Sequence, residues 1–196
     1  MSLHFIGASG HAKVILDIAE QAGIEVNGLY DKDENVTDLR GYAVRSEMHI
    51  SASDELIISI GDNRIRKTLS HKFDKNRYGL LIHPMAAVNS RVSLGNGTVV
   101  MAGTVINSDT VIGNHCIVNT AASVDHDCSI ADYVHIAPNS TLCGGVDVGE
   151  GTLIGAGAVI LPNITIGSWV KIGAGSVVIS DVEAGQTVVG NPAKVL

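Results

Sequence analysis

From Ala87 to Val182 an aliphatic residue recurs every six positions without a gap: Val88, Leu94, Val100, Ile106, Ile112, Val118, Val124, Ile130, Ile136, Leu142, Val148, Ile154, Ile160, Ile166, Ile172 and Val178. The sixth residue of each block is mostly small (Thr98, Thr104, Thr110, Cys116, Ala122, Cys128, Ser140, Thr152, Ala158, Ser176), and the third favours Gly, Asn, Asp or Ala. A period of six marks a solenoid of very short strands, none of which buries its apolar residue alone. If three blocks make one triangular coil, residues eighteen apart stack at ~4.8 Å. The expected interior ladders are Ile112/Ile130/Val148/Ile166, Val118/Ile136/Ile154/Ile172 and Val124/Leu142/Ile160/Val178. The small residue fills the space that the aliphatic leaves, and the Gly or Asn that follows the aliphatic is expected to take the αL backbone of a tight corner. The whole run makes a prism roughly 25 Å long.

The first 82 residues have a different rhythm. Leu3–Ile6 is a short apolar run, followed by Gly7-Ala-Ser-Gly10-His11 and then by Val14, Ile15, Ile18, Ala19 and Ala22 at helical spacing up to Gly23. That is a strand, a glycine turn and a helix. Ile24–Tyr30 reads as a second strand ending at Asp31, and Leu56–Ile60 as a third, before Gly61-Asp62-Asn63 and a helix from Ile65 to Phe73. Tyr78–Ile82 reads as a fourth strand, after which His83-Pro84 leads into the coils. The expected organisation is a small Rossmann-like parallel α/β domain over 1–82 and a parallel β-helix with a closing segment over 83–196.

Composition narrows the functions this frame serves. Of 196 residues 45% are hydrophobic and only 4% aromatic, which suits a prism filled with Val, Ile and Leu. A net charge of -7 argues against nucleic acid or an acidic membrane as a partner, because phosphate backbones require clustered Lys and Arg. The opening residues reach Lys13 and Asp17 before any long apolar run, so no signal peptide or membrane span is expected and the cytoplasm is the expected compartment. Cys116 and Cys128 sit at the small sixth position and Cys143 at a corner, without CxxC spacing, so they read as packing residues.

Candidate chemistry falls in two places. A parallel sheet binds ligands at the carboxyl ends of its strands, where Gly7-x-x-Gly10 lets the backbone approach a phosphate and the following helix offers free N–H groups. Asp31 and Gly61-Asp62-Asn63 lie at neighbouring strand ends, and the full GxGxxG of a dinucleotide fold is missing. In the coils, Asp125-His126-Asp127, His135 and Asn119 add polarity that packing does not need. A histidine beside a carboxylate is suited to proton exchange near neutrality. Gly144 lies one coil above His126, and Ala156 and Ala174 stand at further glycine-flanked corners, so an extended cofactor can lie against the backbone there. Lys171 and Lys194, near the last coil, are candidates to meet its phosphates, and the histidines lack the close pairing of a zinc site, so no metal is expected.

Taken together, Gly7-Ala-Ser-Gly10-His11, Ile60-Gly61-Asp62-Asn63 with Arg66, the hexapeptides, Val124-Asp-His126-Asp-Cys128 followed by His135, and the terminal Gly-Asn-Pro-Ala-Lys resemble the left-handed β-helix acyltransferases. Within them the chain is similar to the sialic acid O-acetyltransferase and UDP-amino-sugar N-acetyltransferase family of the bacillosamine-pathway type. The resemblance implies the left hand of the helix, where general crossover rules favour the right. It also implies a homotrimer with acetyl-CoA in the groove between neighbouring prisms, His126 as catalytic base with Asp127 as its acidic partner, and acetyl or thioester contacts from Asn119 and His135. Gly144 would give a backbone contact, with Ala156, Ala174 and Lys194 further along the cofactor, and Gly10, His11, Asp31, Gly61 and Asn63 would meet the nucleotide of a UDP-sugar. The expected reaction is direct N-acetylation of a nucleotide-linked amino sugar. O-acetylation of a sialic acid or another sugar, and a non-catalytic nucleotide-sugar-binding protein, are the alternatives.

Overall fold

The computed structural model describes residues 2–196. Its first part is β1 (Leu3–Ile6), α1 (Gly10–Ala22), β2 (Val26–Tyr30), β3 (Asp38–Leu39), β4 (Tyr42–Arg45), β5 (Glu55–Ile58), α2 (Asn63–Lys72) and β6 (Arg77–Tyr78). The strands form one sheet in the order β3-β4-β2-β1-β5-β6, parallel except for β3 against β4. Helix α1 ends at Gly23, whose φ of 69° closes the last turn through bonds to Ala19 and Glu20. Helix α2 starts on Asp62, which accepts from the N–H groups of Arg64 and Ile65. The β3–β4 pair was not expected from the sequence, because strands of two and four residues carry too few positions to show alternation.

The second part is a left-handed β-helix with three flat faces, each rung a two-residue strand. The three expected ladders form in register: Ile112↔Ile130↔Val148↔Ile166, Val118↔Ile136↔Ile154↔Ile172 and Val124↔Leu142↔Ile160↔Val178. All of these side chains are buried, and the sixth-position hydroxyls beside them are satisfied within the prism, as when Thr110 donates to the Asp125 carbonyl at 2.7 Å.

Two expectations need correction. Tyr78–Ile82 is not one strand: Arg77–Tyr78 closes the α/β sheet, whereas Leu81–Ile82 pairs with Val99–Val100 and is the first rung of the prism. The αL residues do not follow the aliphatic. They occupy the fifth position of every block from Gly97 to Gly175, including His115, Ala121, Asp127, Tyr133 and Trp169. Third-position glycines answer crowding instead: a Cβ on Gly95 would stand 2.4 Å from the Gly113 carbonyl carbon.

The outward first residues of the blocks define the faces. The first face carries Leu81, Val99, Ile117, His135, Leu153 and Lys171, the second Ala87, Val105, Ser123, Thr141, Val159 and Val177, the third Ser93, Val111, Ser129, Asp147 and Thr165. Leu81, Val99 and Ile117 are buried because the α/β domain lies on them: they share one core with Phe5, Ile15, Leu16 and Ile57. Helix α2 meets the edge between the third and first faces. The domain therefore sits astride the lower first face, and His135 is the next outward residue beyond its cover.

Candidate active site

The edge between the second and third faces carries Asp125, His126 and Asp127. Asp127 is held in αL at φ 58°, and its carboxylate reaches the ring of His126 at 2.7 Å, Oδ2 to Nδ1. Asp125 accepts from the His126 N–H at 2.9 Å and from the Asn107 amide at 2.8 Å, which pins the corner. The Asp127 hydrogen bond, aided by the Asp125 charge, raises the pKa of His126 above its ordinary 6.5. With Nδ1–H donated to Asp127, Nε2 carries the free lone pair, and it has no hydrogen-bond partner among the described residues. The imidazole lies against the bare Cα of Gly144: a Cβ there would fall 2.6 Å from Cε1 and 2.7 Å from Nε2. Cys128 beside it is buried, and burial raises its pKa, so it remains a thiol turned into the prism.

A second group lies on the first face. His135 Nε2 meets the Asn119 amide nitrogen at 3.0 Å, and Asn119 Oδ1 accepts from the Thr120 N–H at 2.8 Å, so the amide donates to the ring. Burial, helped by the nearby Arg66 charge, lowers the pKa of His135 to about 4, against a smaller opposing effect of the Gly61 backbone. His11 stands 6.2 Å away, centroid to centroid, and burial and Arg66 likewise lower it to about 4. Both imidazoles are neutral at pH 7. Asn63 donates to the carbonyls of Gly151 and Thr152 at 3.0 and 3.2 Å, tying the start of α2 to the prism. A cleft of about 410 Å³ opens here between Gly61, Asn63, Arg64, His135 and Trp169.

A third group is at the strand ends. Gly7 has a φ of 106°, and Gly10 begins α1 beneath Ser9, whose side chain makes no capping bond. Asp31 accepts from the N–H groups of Ala8 at 2.7 Å and Asp33 at 3.1 Å, so it shapes the glycine turn. Ala156 and Ala174 are exposed on the edge between the first and second faces, in the corners above Asn119, and Lys194 lies on the hairpin that closes the prism.

Residues 2–73 match the PglD N-terminal domain, and residues 145–180 match the bacterial transferase hexapeptide (six repeats). The acetyltransferase domain of PglB from Neisseria gonorrhoeae is 37% identical, with the match covering 100% of this chain and 99% of that one at a TM-score of 0.93. PerB from Caulobacter crescentus, seen in complex with CoA and GDP-perosamine, is 38% identical over 100% of this chain and 97% of that one, with a TM-score of 0.92. The chain belongs to the bacillosamine-type hexapeptide acetyltransferases. WeeI from Acinetobacter baumannii is 29% identical over the full length of both chains, with a TM-score of 0.91. An uncharacterized protein of Acanthamoeba polyphaga mimivirus is 32% identical over 101 residues, and this chain spans about one fifth (21%) of its length.

Within the acetyltransferase, the expected site residues do not share one corner. His126, Asp127 and Gly144 stand together on one edge, whereas Asn119 and His135 stand on and beside the first face with His11, Gly61 and Asn63. Sequence reasoning also left a role unassigned to Arg66. Its buried guanidinium donates to the carbonyls of His115, Ile60, Gly61 and Tyr133 and to Asn63 Oδ1, at 2.7 to 3.2 Å, and so fixes the loop that holds His135. The edge it grips was visible in outline, since His115, Tyr133 and Trp169 fall in one eighteen-residue column of unusually large corner residues.

Proposed function

We propose that this acetyltransferase moves the acetyl group of acetyl-CoA to the amine of a UDP-linked amino sugar by direct transfer, with His126 as general base. The observation that carries the reading is the His126–Asp127 pair, with Nδ1 engaged at 2.7 Å and Nε2 open above Gly144. The amine lone pair attacks the thioester carbonyl carbon, and Nε2 accepts the proton that the amine loses. When the carbon–sulfur bond breaks, the sulfur of CoA leaves and takes that proton from the imidazolium. The carboxylates of Asp127 and Asp125 favour the imidazolium while it exists. A backbone N–H of the Gly144 groove holds the oxyanion. No acyl-enzyme is required, since the nearest thiol, Cys128, is buried in the prism.

Three such chains form the active assembly. The second face offers an uncharged outward ladder, Ala87, Val105, Ser123, Thr141, Val159 and Val177, of which Val105 is 40% exposed. Docking that face against a neighbour brings the edge bearing His126 toward the neighbour's first face, where Asn119 and neutral His135 stand. Acetyl-CoA then runs up the shared groove along Gly144, Ala156 and Ala174 toward Lys194, while Gly10, His11, Asp31 and Gly61 surround the nucleotide. The cytoplasm is the proposed compartment, and no helix among the described residues is long and apolar enough to cross a membrane.

The test is consumption of acetyl-CoA with UDP- and GDP-linked amino sugars and their hydroxyl counterparts, for the wild type and His126→Ala. Transfer to the amine of a UDP-sugar, reduced ~10²–10⁴-fold in kcat by the substitution, is the expected result. Turnover of His126→Ala near the wild-type rate would remove His126 from the mechanism, and transfer only to a hydroxyl would replace the acceptor.

A further inference from the structure

The cleft at the carboxyl ends of β1, β2 and β5 holds about 440 Å³ and is lined by two cations, Lys32 and Arg64. Neither side chain takes part in an ion pair among the described residues, in a chain whose net charge is -7. The carboxylate that also lines the cleft, Asp31, is spent on the N–H groups of Ala8 and Asp33. Ser9, which also lines the cleft, keeps its hydroxyl free of a capping bond. The remaining wall includes Ile65 and Leu69, which offer an apolar surface. Arg64 is the one residue common to this cleft and the neighbouring cleft at His135, and its guanidinium carbon stands 4.6 Å from the centre of the Trp169 ring.

We infer that Arg64 and Lys32 grip the diphosphate of the sugar nucleotide in this cleft, with Arg64 marking the passage from the nucleotide cleft to the cleft of His135. The inference rests on the reading that the acceptor is a nucleotide-linked sugar. A diphosphate suits this place because its two charges need cations that no carboxylate has already neutralised, and because charge-assisted hydrogen bonds to phosphate oxygens are the strong kind. Arginine, planar and permanently charged, can bind phosphate while one face stays on the indole. The 3′-phospho-ADP of CoA presents the same chemistry, and the experiment separates the two sources.

Trp169 is the only tryptophan in the chain, and Arg64 at 4.6 Å is nearer its ring than Lys67 at 5.5 Å, so its emission is a probe of the Arg64 side of the cleft. UDP, GDP, uridine and CoA are titrated into wild type, Arg64→Gln, Arg64→Lys and Lys32→Gln, by emission and by calorimetry, with KM measured for each substrate and thermal unfolding confirming that each variant is folded. UDP or GDP is expected to change Trp169 emission, and uridine to bind far more weakly. Arg64→Gln and Lys32→Gln should each weaken the diphosphate roughly 10–100-fold and raise KM for the nucleotide sugar alike, with kcat and CoA affinity little changed. Arg64→Lys should recover part of the loss. Unchanged UDP and GDP affinity in folded Arg64→Gln, or a loss confined to CoA, overturns the inference while leaving the acetyltransferase reading in place. A wild type that binds no nucleoside diphosphate and acetylates no nucleotide sugar overturns both.

Discussion

Gly144→Ala separates the position of the proposed base, His126, from the stability of the prism. Gly144 has no positive φ, so alanine fits its backbone, but the new methyl would stand 2.6 Å from Cε1 and 2.7 Å from Nε2 of His126. Carbon atoms in contact settle at ~3.5–4.0 Å, so the imidazole must withdraw by about 1 Å. His126 is 60% exposed at its side chain and can swing into solvent without disturbing the core. It then loses the geometry of its 2.7 Å bond to Asp127. A displacement of that size at the reacting centre costs about 10²-fold in kcat. Stability should hold or rise slightly, since Gly→Ala at a compatible site is worth ~0.4–1 kcal/mol through the unfolded chain. The assay pairs acetyl transfer with thermal unfolding. Gly145→Ala is the control: at φ 69° and 2.5 Å from Asn163 Oδ1 it should lose ~1–2 kcal/mol of stability while folded protein keeps its kcat. If Gly144→Ala turns over within about threefold of wild type with an unchanged Tm, the ring does not act from this position.

Three further outcomes follow from the same geometry. Under the proposed mechanism the neutral imidazole of His126 is the base, and Asp127 raises its pKa above 6.5, so the acidic limb of kcat/KM should lie above pH 6.5; Asp127→Asn should move that limb to lower pH, as a pH–rate profile will show. Arg66→Met leaves the carbonyls of His115, Ile60, Gly61 and Tyr133 without their donor and should cost roughly 3 kcal/mol in urea unfolding, with loss of activity as the Gly61 loop leaves His135. His11, His115 and His135 each have a folded pKa of about 4 against 6.5 unfolded, so the unfolded chain binds more protons below pH 6.5. Stability is therefore complete above that pH and declines as pH falls toward 4; His115→Asn, which tolerates the φ of 54° there, should flatten the decline measured by urea midpoints at pH 7 and 5.

The prism was legible because its interior repeats: Ile112, Ile130, Val148 and Ile166 are neighbours by a rule that holds in every coil. The glycine turn at Gly7 and the cap at Gly23 were legible for a similar reason, since the positive φ there selects the residue. Features that depend on one part meeting another were not. Burial of the outward Leu81, Val99 and Ile117 needs the α/β domain on the first face, and Arg66 takes its meaning from carbonyls up to 67 positions away. The separation of His126 from His135 was within reach of arithmetic, because residues nine apart are half of an eighteen-residue coil apart and stand on different sides of the triangle. On one prism, the basic, solvent-facing imidazole of His126 and the neutral, hydrogen-bonded imidazole of His135 cannot address the same atom. Under the proposed assembly they do so across a subunit boundary, which is why one chain carries both halves of the site without showing their meeting.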